Sequence, residues 1–198
     1  MINADRIVRD VIVVGASTGG IEAVTEMLSR LPVDLPAFVG IVIHRGAHSV
    51  RNWSDMLGKR TALRVVEPAD GDSLTRGFAY ISPGNCHMRF AHDTVSLDHD
   101  AKQHHTRPAV DPLFTSAAVA YGPRVVGVVL TGGGHDGMLG LLDISTAGGL
   151  CLAQRPAEAQ DASMPAYAIA RDHVLAALGI DAIGDALDRL ARGCEVSV

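Results

Sequence analysis

The chain has 198 residues, 47% of them hydrophobic, and carries 22 acidic against 17 basic side chains for a formal net charge of −5. A chain of this length hides roughly 70% of its unfolded surface around one core, so a single domain is the default, and an acidic balance with no Lys/Arg block excludes the broad electrostatic footprint of a nucleic-acid binder. No apolar run approaches the roughly 18 residues of a membrane span, and the opening MINADRIVRD lacks the apolar stretch of a signal peptide, which points to a cytoplasmic protein without membrane insertion.

After a short lead over residues 1–10, VIVVG (11–15) reads as a strand, and GIEAVTEMLSRLP follows with Ile21, Val24, Leu28 and Leu31 at helical spacing and Pro32 as a stop. AFVGIVIH (37–44) is a second strand. GFAYISPG and HMRFAHDTVSLDHD then alternate between turn formers, as a small antiparallel excursion or hairpin does. DHDAKQHHTRP (98–108) is polar and reads as an exposed loop. RVVGVVLTG (124–132) is a third strand, MLGLLDISTAGG a helix stopped by Gly148-Gly149, and IDAIGDALDRLARG a closing helix with Ile183, Leu187 and Leu190 on one face. Continuous β-branched runs suit strands buried on both faces. The expected fold is therefore α/β, a Rossmann-like doubly wound, mostly parallel sheet with helices on both faces and a small antiparallel hairpin.

In such sheets ligands sit outside the carboxyl ends of the strands. Three strand tips offer chemistry there: Ser17, His44, and TGGGHDG with His135 and Asp136. GASTG (15–19) satisfies G-x-S-x-G between a strand and a helix, where a serine can be raised on a sharp turn beside free helix N–H groups. The alternative is a glycine-rich cap in which Ser17 bonds an orphan N–H. His44 is either a boundary residue or the imidazole that takes a seryl proton. Asp136 is either a cap for the helix that follows or the carboxylate that fixes the His44 tautomer. Among the other histidines, His99, His104 and His105 read as solvated, His87 and His92 flank the hairpin, and His173 lies in a terminal element. Among these histidines no H-x-x-x-H spacing or cysteine partner supports a metal, and Cys86, Cys151 and Cys194 are odd in number and far apart, as reduced thiols are. Neither a metal nor a cofactor is expected.

Four motifs in order, IVVGASTGGIEAV, GFAYISPGNCHM, RPAVDPLF and VVLTGGGHDGMLGL, resemble the catalytic domain of the CheB-type chemotaxis protein-glutamate methylesterases over about residues 11–190. The resemblance implies a serine carboxylesterase, spanning 11–198, that hydrolyses glutamate methyl esters on the cytoplasmic domain of methyl-accepting chemotaxis receptors and in some members deamidates glutamines. It implies Ser17 as nucleophile, His44 as base and Asp136 as third triad member, with Thr18 and Gly133 in the active-site and oxyanion turns. Gly133 stands where the family usually has methionine, His135 where asparagine is common, and HRGAHSV after the base is more polar than usual. Typical members carry an N-terminal receiver domain. About ten residues precede the first strand here, so no receiver domain is expected in this chain, which is read either as a free-standing esterase or as an excised domain, with a separate receiver or methyltransferase protein as a partner. Two other readings compete: a non-catalytic nucleotide-binding module and a scaffold homologue. Against the first, there is no G-K-[ST] and no acidic residue ending the second strand, where His44 sits.

Overall fold

The computed structural model describes residues 7–45, 52–171 and 173–196. Its centre is a seven-stranded parallel sheet in the order β3-β4-β2-β1-β7-β8-β9, formed by β1 (Val11–Ala16), β2 (Phe38–Ile43), β3 (Arg64–Val66), β4 (Phe78–Ile81), β7 (Val125–Val129), β8 (Leu150–Gln154) and β9 (Ala176–Leu178). The two strands β5 (His87–Ala91) and β6 (Thr94–Asp98) pair antiparallel as a separate hairpin.

The β-branched runs are continuous because both faces of each central strand are covered. From β1, Ile12 and Val14 point into one apolar layer with Val24, Met27 and Leu28 of α1 (Gly20–Ser29), Leu57 of α2 (Trp53–Gly58), and Ile183 and Leu187 of α6 (Ile180–Ala191). Val11 and Val13 point the other way, against Phe90 of the hairpin, Leu113 and Phe114 of α3 (Val110–Tyr121), Leu141 of α4 (Met138–Thr146) and Met164 of α5 (Ser163–Ala170). The expected doubly wound α/β architecture is what forms.

One local expectation is corrected, and one helix joins the elements read from the sequence. GFAYISPG does not belong to the hairpin: Phe78–Ile81 joins the main sheet, pairing parallel with β2 and β3. Its alternation reflects a strand toward the sheet's edge, with Phe78 half-buried. The segment after Pro108 is a helix of 12 residues, α3. Pro112 falls in its first turn, where no intrahelical N–H is needed, so the proline is accommodated at the helix head. The three cysteines are free thiols, and burial pushes the Cys151 thiol up to about 12. Among the described residues, no helix is long and apolar enough to cross a membrane.

Candidate active site

The strand order reverses around β1, and the three tips singled out above belong to the adjacent strands β2, β1 and β7. Ligand sites form at this kind of reversal because the crossovers leave in opposite directions and open a crevice. Ser17 follows β1 directly, and Gly19, at φ 73, turns the chain into α1. The head of α1 has no side-chain cap, so the Ser17 hydroxyl is not consumed in capping it. The His44 N–H donates to Ala16 O at 3.0 Å, which sets the histidine beside the serine turn.

Asp136 and His44 meet. His44 Nε2 lies 2.7 Å from Asp136 Oδ2, with the histidine side chain 17% exposed and the aspartate 1%. Nε2 is thereby engaged with the carboxylate, the reverse of the ring orientation in serine proteases, where Nδ1 faces the aspartate. No hydrogen bond joins Ser17 Oγ to His44 among the described residues. Such contacts are often long before substrate arrives. Burial opposes the charge on Asp136. The His44 bond, the Val110 N–H, the charge of His44 and the Asp111 N–H together outweigh it and hold the carboxyl below its ordinary value.

Asp136 does not cap the helix that follows it. The cap position of α4 is Gly137, at φ 96, with no side-chain bond. Instead Asp136 caps α3: the Val110 N–H donates to Oδ2 at 2.7 Å and the Asp111 N–H to Oδ1 at 3.0 Å. Asp111 returns the contact, its Oδ1 accepting the Gly140 N–H of α4 at 2.8 Å. Each helix head is thus closed by a carboxylate from the other, and two positive helix ends stabilise two buried negative groups.

The turns around Ser17 are fastened by residues to which the sequence reading gave no role. The Ser17 N–H donates to Thr131 O at 2.9 Å, Thr131 Oγ1 donates to Thr18 O at 2.9 Å, and the Asp161 N–H donates to Thr131 Oγ1 at 2.9 Å. Gln154 Oε1 accepts the Thr131 N–H at 2.8 Å. A buried threonine at a strand tip was the available signal. A Cβ on Gly132 would lie 2.7 Å from Ser17 Cβ and 2.4 Å from Met164 Sδ, so only glycine lets the two turns touch. A Cβ on Gly133 would approach Asp161 Oδ2 at 3.0 Å and no other atom closer than 3.9 Å. The N–H groups of Thr18, Gly19 and Gly133 donate to no acceptor among the described residues, which leaves them free for an oxyanion. Beside Ser17, Ile21, Ile43, Trp53 and Met56 line a slot of about 90 Å³. Arg45 braces its far side, bonding Glu67 at 2.9 Å with its guanidinium 5.0 Å from the Trp53 ring centre. The rest of HRGAHSV, residues 46–50, lies outside the described residues.

The histidines divide differently from expectation. His104 is not simply solvated: its Nε2 lies 2.8 Å from Asp111 Oδ2 and 3.8 Å from Asp136 Oδ1. The His135 ring lies edge-on to His104 at 5.0 Å and to Tyr167 at 6.0 Å. His104, Asp111 and Asp136 are the group of described residues whose ligand atoms converge, within 4.8 Å. Three of the four carboxylate oxygens already accept from a backbone N–H and the fourth, Asp111 Oδ2, is paired with His104 Nε2, which suits a hydrogen-bonded cluster better than a metal cradle.

The chain matches the family model described as CheB methylesterase over residues 12–187. The protein-glutamate methylesterase/protein-glutamine glutaminase 2 of Methanosarcina mazei is 35% identical over 193 residues, covering 93% of this chain and 53% of the relative. The protein-glutamate methylesterase/protein-glutamine glutaminase of Chromohalobacter salexigens is 37% identical over 177 residues, covering 87% and 48%. The chain spans about half the length of the curated relatives it matches. The crystal structure of the Thermotoga maritima CheB methylesterase catalytic domain superposes with a TM-score of 0.87 at 30% identity, over 91% of this chain and 98% of that one.

Proposed function

The chain belongs to the CheB methylesterase family, and on that premise we propose that it is a serine carboxylesterase that hydrolyses glutamate methyl esters on the cytoplasmic domain of methyl-accepting chemotaxis receptors. Residues 11–198 form its catalytic unit, acting in the cytoplasm. The observation that carries the reading is the 2.7 Å His44–Asp136 pair on strand tips adjacent to an uncapped serine turn.

In this reading Ser17 Oγ attacks the ester carbonyl as His44 Nδ1 takes its proton. The N–H groups of Gly133 and Thr18 receive the oxyanion, and Asp136 stabilises the imidazolium that forms. His44 then returns the proton to the departing methanol. Water, deprotonated by the same ring, attacks the acyl-enzyme and releases glutamate. Replacing the ester by a side-chain amide changes the leaving group to ammonia along the same path, which gives glutamine deamidation. The slot walled by Ile21, Ile43, Trp53 and Met56, with Glu22 at its side, is small, as a methyl ester requires.

The test is methanol release from methylated receptor membranes, and ammonia release from receptors carrying the glutamine form, with and without Ser17→Ala. Methanol that depends on Ser17 supports the reading. A protein that neither releases methanol nor reacts with a fluorophosphonate, but melts higher with nucleotide, overturns it in favour of a binding module.

A further inference from the structure

We propose that His104 and Asp111 form an outer histidine–carboxylate couple whose role is to position the inner couple, His44–Asp136. The inference rests on the reading of that inner couple as base and orienter.

The two couples are built alike. Each pairs an imidazole Nε2 with a carboxylate, at 2.7 Å for His44–Asp136 and 2.8 Å for His104–Asp111, and each carboxylate also closes the head of a neighbouring helix. They are also joined, because the Asp111 N–H holds Asp136 Oδ1 at 3.0 Å while His104 Nε2 stands 3.8 Å from that same oxygen. Asp111 and Asp136 are 4% and 1% exposed, so two like charges sit close together out of water, an arrangement that persists only with donors between them. His104 is the side chain that stands close to both, bonded to Asp111 and 3.8 Å from Asp136 Oδ1. Its backbone is left-handed, φ 48, a conformation a β-carbon-bearing residue adopts only where its surroundings hold it.

The titratable and charged groups facing this cluster are His44 from the end of β2, Asp136 and His135 from the loop before α4, Asp111 from α3, and Arg171 and His173 across the adjoining cavity of about 490 Å³. Arg107, near His104 in sequence, is turned away to Asn85. Burial raises the Asp111 carboxyl above its ordinary value, Asp136 adding to the effect, against the bonds from Gly140 and His104. With His104 in place Asp111 keeps its charge, and that charge supports the imidazolium on His44. Without a donor, Asp111 takes up a proton, its acid group turns to Asp136 Oδ1, and the inner carboxylate holds His44 less strongly.

The experiment follows the pH dependence of Ser17 labelling by a fluorophosphonate, with a parallel NMR titration of the His44 ring, in wild type, Asp111→Asn, His104→Gln and His104→Ala. Asparagine at 111 still accepts the Gly140 N–H, so the fold is kept while the charge goes. For Asp111→Asn the midpoint of labelling and of the His44 titration moves to lower pH by about half a unit, and the plateau rate falls roughly tenfold, the lower end of what removing a partner behind a working histidine costs. His104→Ala follows Asp111→Asn. His104→Gln, whose amide still donates to Asp111, stays near wild type. Unchanged midpoint and plateau in Asp111→Asn, or in His104→Ala, overturn the proposal, as does a change in apparent affinity for the probe at constant plateau rate, which would make the pair part of a binding surface. A wild-type protein that does not label defeats the esterase reading instead, and the His44 titration, which needs no substrate, then decides the coupling.

Discussion

In the proposed mechanism Ser17 contributes its hydroxyl alone, because its N–H and the fold of its turn are held by Thr131 and Gly20. Ser17→Ala is therefore expected to melt as wild type and to lose on the order of 10⁴ to 10⁶ in turnover, by analogy with nucleophile deletions in other serine hydrolases; retention of more than about a tenth of the methanol release removes Ser17 from the mechanism. Asp136→Asn affects both stability and rate. Both oxygens of Asp136 accept backbone N–H groups of α3, and an amide can offer an acceptor on one side only. A buried N–H left facing an NH₂ group costs roughly 1–3 kcal/mol. Calorimetry should show Tm down by about 5 °C, and activity should fall at least about 10²-fold, since a neutral amide cannot stabilise charged His44. A variant that melts early but hydrolyses normally makes Asp136 a cap alone. Gly132→Ala tests the contact between turns: its methyl would lie 2.9 Å from Ser17 N, so activity should fall more than roughly a hundredfold as Ser17 is displaced, and a near-normal rate would show that the turns can part without harm.

At the scale of elements, the site depends on how loops after β1, β7 and β8 are tied at one residue. Thr131 Oγ1 donates to Thr18 O and accepts from the Asp161 N–H, joining all three. Thr131→Val keeps the shape and removes both bonds, so kcat should drop roughly tenfold with KM little changed, and Tm should fall by a few degrees. A wild-type kcat in that variant would mean the loops are held by packing. The α3–α4 pair shows a second element-level rule. Two helix heads brought together would repel as like dipole ends. Exchanging carboxylates between them turns the repulsion into the anchor for Asp136.

For the whole molecule, the carboxylates set the response to acid. Asp10, buried against Arg124 and Arg76, Asp98 against Arg89, and Asp136 against His44 are all held below the ordinary value. Each contributes stability that is present above the unfolded pKa near 3.9 and is lost as pH falls through its lower folded value. Asp111 is raised, so its contribution has the opposite sign: present below the unfolded value and lost as pH rises through the folded one. Three lowered groups outweigh one raised group, and Tm should decline steeply between about pH 4 and pH 2. Asp136→Asn should lose less over that interval than wild type. An equal or larger loss would mean that Asp136 is not ionised in the folded protein.

The sequence alone determined the α/β class and the central strands, and singled out Ser17, His44 and Asp136 as candidates on what prove to be adjacent strand tips, because buried parallel strands leave a continuous β-branched run and because glycine-rich strand tips are short-range features. It also placed GFAYISPG and residues 110–121 wrongly or not at all. Strand partners are chosen by the sheet rather than by the strand, and a proline in a first turn looks the same as one that ends a helix. Which helix Asp136 caps, that Thr131 ties three loops, and that His104 turns inward to Asp111 were decided only in three dimensions. The reason is physical: these contacts join residues 7 to 113 positions apart in the chain, and their hydrogen bonds exist because packing α3 against α4 and β1 between β2 and β7 strips water from polar groups that must then find one another.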